Sequence, residues 1–257
     1  MIKYSLLVPT RDRIKSLERL FRSLEATTLN KNEIELLFAV DIDDQPTQQF
    51  LGIINHQKLY TDFGNIQFFT RQRSEFTNRD YYNWLAEKSI GKYIWSIADD
   101  VVFLIQDWDK IIEERIEMYL QSRPDRIVCA GIKDSTPKPR HDLPNFVCFP
   151  LITREAFNFF HYILVSALPV WGSDLAIYEL YTKAGRYMEI RDSVYLDHIA
   201  WHTKTAIEDA TARNIRDIFR KYQHKPETNV DNIRRNFIPQ EADRLISHLR
   251  FLEQKGN

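Results

Sequence analysis

Ile94-Trp-Ser-Ile-Ala-Asp-Asp-Val-Val-Phe103 sets two adjacent carboxylates, Asp99 and Asp100, between two apolar runs. The run before them has the length of a buried strand and no helical period. Carboxylates there are costly to desolvate unless a cation or hydrogen-bond donors compensate them. Toward the N-terminus, similar apolar runs alternate with helical periods. Tyr4 to Val8 reads as a strand ended by Pro9, and Ile34 to Val40 and Ile66 to Thr70 read as two more. Between them, Ile14, Leu17, Leu20, Phe21 and Leu24 share one helical face, and residues 46–57 also look helical. Thr77 is expected to cap a helix that runs to about Lys88, with Gly91 just past its end. Tyr93 to Ala98 is the fourth strand. This alternation predicts an α/β fold: a mainly parallel sheet flanked on both faces by helices.

Toward the C-terminus the pattern is less regular. A helix over about Trp108 to Gln121 leads to a strand at Ile127 to Ala130. A proline-rich basic loop follows at 135–144, then a strand near Phe146 to Phe149 and helices from Arg154 and over Ser173 to Lys183. From about Ala206 the chain is polar and helical with no strand signal. Residues 1–205 are therefore expected to form the sheet domain, and 206–257 a C-terminal helical extension.

Composition removes several classes. The seven glycines form no GxGxxG or GxxxxGK loop, which excludes Rossmann dinucleotide binders and P-loop NTPases. A formal net charge of -1 argues against retention on nucleic acid by global charge. The N-terminal apolar run is about five residues, short of the roughly 7–15 of a signal peptide. The stretch Phe157 to Trp171 is broken by Asn158, His161, Ser166 and Pro169, and a span needs about 20 apolar residues. Cys129 and Cys148 are the only cysteines and form no CxxC, so a soluble protein of the reducing cytoplasm is expected.

In open α/β sheets, ligands bind beyond the carboxyl ends of the strands. The residues there are Pro9 to Arg13, then Asp41, Asp43 and Asp44, then Arg71 and Arg73, then Asp99 and Asp100. Every strand end carries charge, with bases and acids on separate strands. Mg²⁺ or Mn²⁺ typically takes one or two protein carboxylates and fills its other positions with water and phosphates. An acidic pair at a strand end suits a metal–diphosphate site.

Several motifs in order resemble the nucleotide-sugar-dependent glycosyltransferases of GT-A fold, especially their inverting family 2 group, over about residues 3–200. Ser5-Leu-Leu-Val-Pro-Thr-Arg-Asp-Arg13 looks like that family's first strand and nucleotide loop. Phe38-Ala-Val-Asp-Ile-Asp-Asp44 looks like its second strand, with Asp41 matching the carboxylate that contacts base or ribose. Asn83 precedes Gly91-Lys-Tyr-Ile at a similar spacing. Ala98-Asp99-Asp100 falls where the family carries its DxD metal motif. Trp171-Gly-Ser-Asp174-Leu-Ala resembles the Glu-Asp segment holding the catalytic base. Three positions depart from the pattern: Ala98 replaces the first DxD carboxylate, Ser173 the Glu before the base, and Tyr82 the Arg before Asn83.

The resemblance implies a metal-dependent transferase moving a sugar from a nucleotide-diphosphate sugar to an acceptor hydroxyl with inversion. Asp174 is then the general base, kept ionised by a helix N-terminus. Asp100 is the metal ligand for Mn²⁺ or Mg²⁺, joined by His198 or His202. Pro9, Thr10, Arg11, Asp41, Arg71, Arg79, Asn83 and Asp99 face the nucleotide sugar, with Arg79 standing in for the missing Arg. Trp171 and Gly172 face an acceptor of open identity: saccharide, lipid-linked or other. Three further readings stay open. A nucleotidyltransferase is disfavoured by the missing Gly-rich loop. A non-catalytic GT-A-like binding protein is allowed by Ala98 and Ser173. A transferase acting on a modified base in DNA is motivated by the 135–144 loop and by Arg213, Arg216, Arg220, Lys221, Arg234 and Arg235.

Overall fold

Four strands, Tyr4–Thr10 (β1), Ile34–Asp41 (β2), Asn65–Arg71 (β3) and Tyr93–Ser96 (β4), form the parallel half of a seven-stranded sheet in a computed structural model. The structure describes residues 1–256 except 58, 137–147, 194 and 201–204. Most of the basic loop, Phe146 and His202 therefore lie outside the described residues. Cys129–Ile132 (β6), Pro150–Thr153 (β7) and Tyr187–Ile190 (β8) complete the sheet in the order β3-β2-β1-β4-β7-β6-β8. Only β7 runs antiparallel to its neighbours. From β1 the chain moves to β2 on one side and returns to β4 on the other. That reversal opens a crevice at the carboxyl ends of these strands, the place where such sheets bind ligands. A small antiparallel pair, Val101–Phe103 (β5) and Leu196–His198 (β9), lies beside it.

The continuous apolar strands have a simple cause. Every residue of β2 is buried, because Leu36, Phe38 and Val40 pack on one face and Leu37 and Ala39 on the other. Helices Ile14–Thr27 (α1), Gln45–His56 (α2) and Trp108–Leu120 (α4) flank the sheet with Trp84–Lys88 (α3), Arg154–Phe160 (α5) and Ser173–Lys183 (α6). The C-terminal segment forms Ala210–Tyr222 (α7) and Val230–Gly256 (α8). Ile233, Ile238, Leu245 and Leu249 of α8 join the apolar cluster that covers one sheet face. No helix among the described residues is long and apolar enough to cross a membrane.

Several local expectations are corrected. Thr77 is itself helical and caps nothing; Asn78–Asn83 forms a π-helical turn before α3. The turn is held from outside, since the Asn78 amide donates to the carbonyls of Leu168 and Val170 at 2.7 and 2.9 Å. The strand expected near Phe146 to Phe149 begins at Pro150, and that expected at Ile127 begins at Cys129. The fourth strand ends at Ser96 rather than Ala98. β8 and β9 were not expected, because Glu189 in one and Asp197 and His198 in the other mask any apolar period.

Gly91 is not a helix stop either. Its N–H donates to Ser5 Oγ at 2.8 Å, and an added Cβ would lie 2.7 Å from Ser5 N and 2.9 Å from the Tyr4 carbonyl carbon. Backbone cannot yield as a side chain can. Gly91→Ala is expected to cost about 1–3 kcal/mol, read as a lower urea midpoint at unchanged slope. An unchanged midpoint would remove the close approach as its reason.

Candidate active site

The crevice is wired by charge. Arg13 ends the β1 loop and enters α1 with its guanidinium turned toward the β4–β5 turn. Its Nη1 lies 3.0 Å from Asp99 Oδ1 and 3.1 Å from Asp100 Oδ2. The rest of the fork bridges Asp209 at 2.9 and 3.1 Å, and Asp209 caps α7 by accepting from the Ala212 N–H. Thr10 Oγ1 donates to Asp99 at 2.7 Å. Burial pushes the Asp99 carboxyl up despite the opposing guanidinium of Arg13. Against the same desolvation, His198 and then Arg13 hold Asp100 below the ordinary carboxylate range.

His198 reaches Asp100 through strand register. β9 pairs with β5 so that His198 stands opposite Val101, which sets its Nε2 3.3 Å from Asp100 Oδ1. That oxygen is buried and makes no hydrogen bond among the described residues. The other ring nitrogen, Nδ1, lies 2.9 Å from Thr136 Oγ1. Orientation of a ligating imidazole through its second nitrogen is the usual second contact at a metal. Two ligands of one divalent ion, each about 2.1 Å from it, stand roughly 3 Å apart. The carboxylate oxygen and imidazole nitrogen thus fit a shared Mn²⁺ or Mg²⁺. The described residues contain no group of three or more ligating side chains, so water and substrate phosphates would supply the remaining ligands.

Two adjoining cavities open here, of about 230 and 150 Å³, and both are lined by Arg13, Thr77, Tyr82, Ala98 and Ile215. The larger holds Asp100, His198, Trp171 and Asp174. The smaller holds Pro9, Thr10, Arg11, Asp41 and Asp99 with Arg73 and Tyr81. Asp174 is the second residue of α6, and the cap is Gly172 at φ +88° rather than Asp174. Its carboxylate accepts the Leu175 N–H at 2.9 Å. Burial nonetheless raises its carboxyl to about 7, so the helix start does not hold it in the ordinary carboxylate range. Desolvation outweighs the backbone donors.

The other expected residues divide. Gly172 lines neither cavity; it packs against Val230. Arg71 sits over the rings of Tyr81 and Trp84 at 5.0 and 5.2 Å, and the exposed Arg79 pairs with Asp80 at 3.0 Å. Asn83 is buried and clamps the 163–166 backbone, donating to Leu164 O and accepting from Ile163 and Leu164 N–H. None of these three lines either of the two cavities. Ser173, in place of the family's Glu, accepts the Val165 N–H. Sequence reasoning missed Arg13 as the bridge between both acids, and it missed Tyr82 and the α7 residues of the cavity walls. The only signal for α7 was its stripe of Ala212, Ile215 and Ile218 at helical spacing.

Asp41 is more deeply fixed than a bare strand end. Arg11 Nη1 donates to one oxygen at 2.8 Å and the Tyr81 hydroxyl donates to the other. Asp41→Ala is therefore expected to cost about 1–3 kcal/mol of stability, because a buried hydroxyl and a guanidinium lose their acceptor. It is also expected to weaken nucleotide binding. A thermal midpoint equal to the wild type's would show that these bonds contribute nothing.

No protein-family model matches the sequence, and no curated protein matches it. Solved structures do. TarS from S. aureus is similar at TM-score 0.60 and 13% identity, over 87% of this chain and 40% of that one. A shorter TarS, residues 1–349 in complex with UDP-GlcNAc, is similar at TM-score 0.57 and 13% identity, over 96% and 71% of the two chains. The mannosyltransferase PcManGT from Pyrobaculum calidifontis, in complex with GDP-Man and Mn²⁺, gives TM-score 0.60 at 11% identity, over 99% and 76%. The chain thus spans less than half of full-length TarS and most of the other two. Its fold is that of the GT-A glycosyltransferases.

Proposed function

We propose that this chain is a divalent-cation-dependent glycosyltransferase that moves a sugar from a nucleotide-diphosphate sugar to an acceptor hydroxyl with inversion. The observation that carries it is the shared cavity: a carboxylate poised near pH 7, Asp174, opens into the same space as the Asp100–His198 pair. The nucleotide-sugar complexes of TarS and PcManGT, one with Mn²⁺, support the donor class.

In this reading the nucleoside enters the smaller cavity, and the diphosphate lies toward Asp100, His198 and Arg13. A bound Mn²⁺ or Mg²⁺ supplies Lewis-acid stabilisation of the charge that grows on the departing diphosphate. Arg13 neutralises the acidic pair from the opposite side, leaving Asp100 Oδ1 turned toward His198. Asp99 faces the sugar or ribose from the smaller cavity. Asp174 takes the acceptor proton as the acceptor oxygen attacks the anomeric carbon and the bond to the diphosphate breaks. One such displacement inverts that carbon and needs one base. Trp171, about one-third exposed, offers its ring to the acceptor at the mouth of the larger cavity.

Release of nucleoside diphosphate from UDP-, GDP- and TDP-sugars, or of CMP from CMP-sugars, with and without Mn²⁺, tests the reading. Cation-dependent release from one donor supports it; release from none, with binding retained, favours the non-catalytic reading. The DNA-base reading loses support from four of the six basic residues that suggested it. Arg216, Lys221, Arg234 and Arg220 each face an acid of the chain: Glu208, Glu75, Glu179 and Asp217.

A further inference from the structure

We infer that Asn214, on the C-terminal helix α7, contacts the nucleoside of the donor and sets which base is preferred. This rests on the donor reading above and adds to it a residue from outside the sheet.

Thr211, Asn214, Ile215 and Ile218 lie at i, i+3, i+4 and i+7 of α7 and all line the smaller cavity. They form one inward stripe. Thr211 Oγ1 donates to the Arg11 carbonyl at 3.3 Å, and the two isoleucines are apolar. Asn214 is half-buried in the middle of that stripe. Its carboxamide makes no hydrogen bond to the described residues and faces the open cavity. Both its N–H and its C=O are therefore available to a ligand there.

The chemistry of the walls says which end of the donor meets it. Asn214 lines the cavity that holds Asp41 and Pro9, and it is absent from the lining of the one that holds Asp100, His198 and Asp174. It therefore stands away from the cation pair, at the nucleoside end. A neutral amide adds little to phosphate binding beside Arg11, Arg13 and Arg73. It does present N–H and C=O side by side, the complement of a base edge with donor next to acceptor. Asp41, the other candidate reader, already has both oxygens held by Arg11 and Tyr81.

The helix is also fixed before any ligand arrives. At one end Asp209 is gripped by Nε and Nη2 of Arg13. Near the other, Lys221 and Tyr222 bond to Glu75 at 2.6 and 2.7 Å. A contact carried on such a held element needs no ordering on binding.

Titration calorimetry with UDP, GDP and inorganic pyrophosphate, each with Mn²⁺, tests this on wild type and Asn214→Ala. The variant should lose about tenfold in affinity for the nucleotide that wild type prefers, as expected for one hydrogen-bonding amide. The preference between UDP and GDP should shrink with it, while pyrophosphate affinity and the thermal midpoint stay put. Equal weakening of all three ligands would make Asn214 a support of the helix and overturn the inference. Unchanged affinity and preference would overturn it too, with the donor reading left standing. If wild type binds neither nucleotide, the donor reading fails and this inference falls with it.

Discussion

Asp174→Asn is expected to turn over roughly 10²- to 10⁴-fold more slowly than wild type and yet to unfold at a higher temperature at pH 8. The first half follows from the role of a positioned base, which typically contributes that factor. Donor and cation binding should stay normal, because in the proposed mechanism Asp174 acts on the acceptor. The second half follows from the carboxyl being raised by burial to about 7. Between the ordinary carboxylate range near 4 and about 7, the folded state binds a proton that the unfolded state does not. Stability therefore falls as pH rises through that window and stays lowered above it. Asn carries no charge to desolvate and escapes the loss. Partial solvent access at this half-buried position limits the gain to about 1–3 kcal/mol at pH 8, fading to nothing near pH 4. A residue kept for the fold would not show slower turnover with greater stability. Transfer must be measured with the true acceptor, since water can hydrolyse the donor without this base. Wild-type turnover in Asp174→Asn, or a stability difference that does not change with pH, would remove Asp174 from the chemistry.

The second large effect belongs to Asp100. Asp100→Asn removes the charge of the proposed metal ligand while keeping its shape, and it should weaken Mn²⁺ and Mn²⁺-dependent nucleotide binding by at least about 100-fold. Groups that merely orient a metal ligand already account for 10- to 100-fold. Asp99→Asn should do much less to the cation, because its carboxylate is taken by Thr10 and Arg13. It should instead weaken binding of the complete donor. His198→Ala should resemble Asp100→Asn, given that Asp100 Oδ1 and His198 Nε2 converge at 3.3 Å. Calorimetry with and without Mn²⁺ ranks the three variants. A larger cation loss in Asp99→Asn than in Asp100→Asn would exchange their roles.

The parallel half of the sheet was legible because β1, β2 and β4 are buried on both faces and so carry nearly continuous apolar runs, and the half-buried edge strand β3 keeps a shorter one. Their charged ends were legible for the converse reason: Asp41, Asp99 and Asp100 interrupt those runs abruptly. What the sequence hid are contacts between distant segments. The π-helical turn at Asn78–Asn83 depends on carbonyls some ninety residues away, and no local propensity encodes it. The Arg13–Asp209 grip joins residues 196 positions apart. Without it α7 reads as part of a surface extension rather than a wall of the smaller cavity. The ionisation of Asp174 was misjudged because helix position is visible in sequence and burial is not. The pairing of His198 with Asp100 depends on a three-residue strand, Leu196–His198, which carries two polar groups and no apolar period.

A crystal structure with Mn²⁺ and the tighter-binding of UDP and GDP, with manganese located by its anomalous signal, tests the central claim most directly. The account predicts the peak between Asp100 Oδ1 and His198 Nε2, with the diphosphate completing its coordination and the base between Asp41 and α7. A nucleotide bound away from the strand ends would contradict the account. So would manganese bound without contact to Asp100.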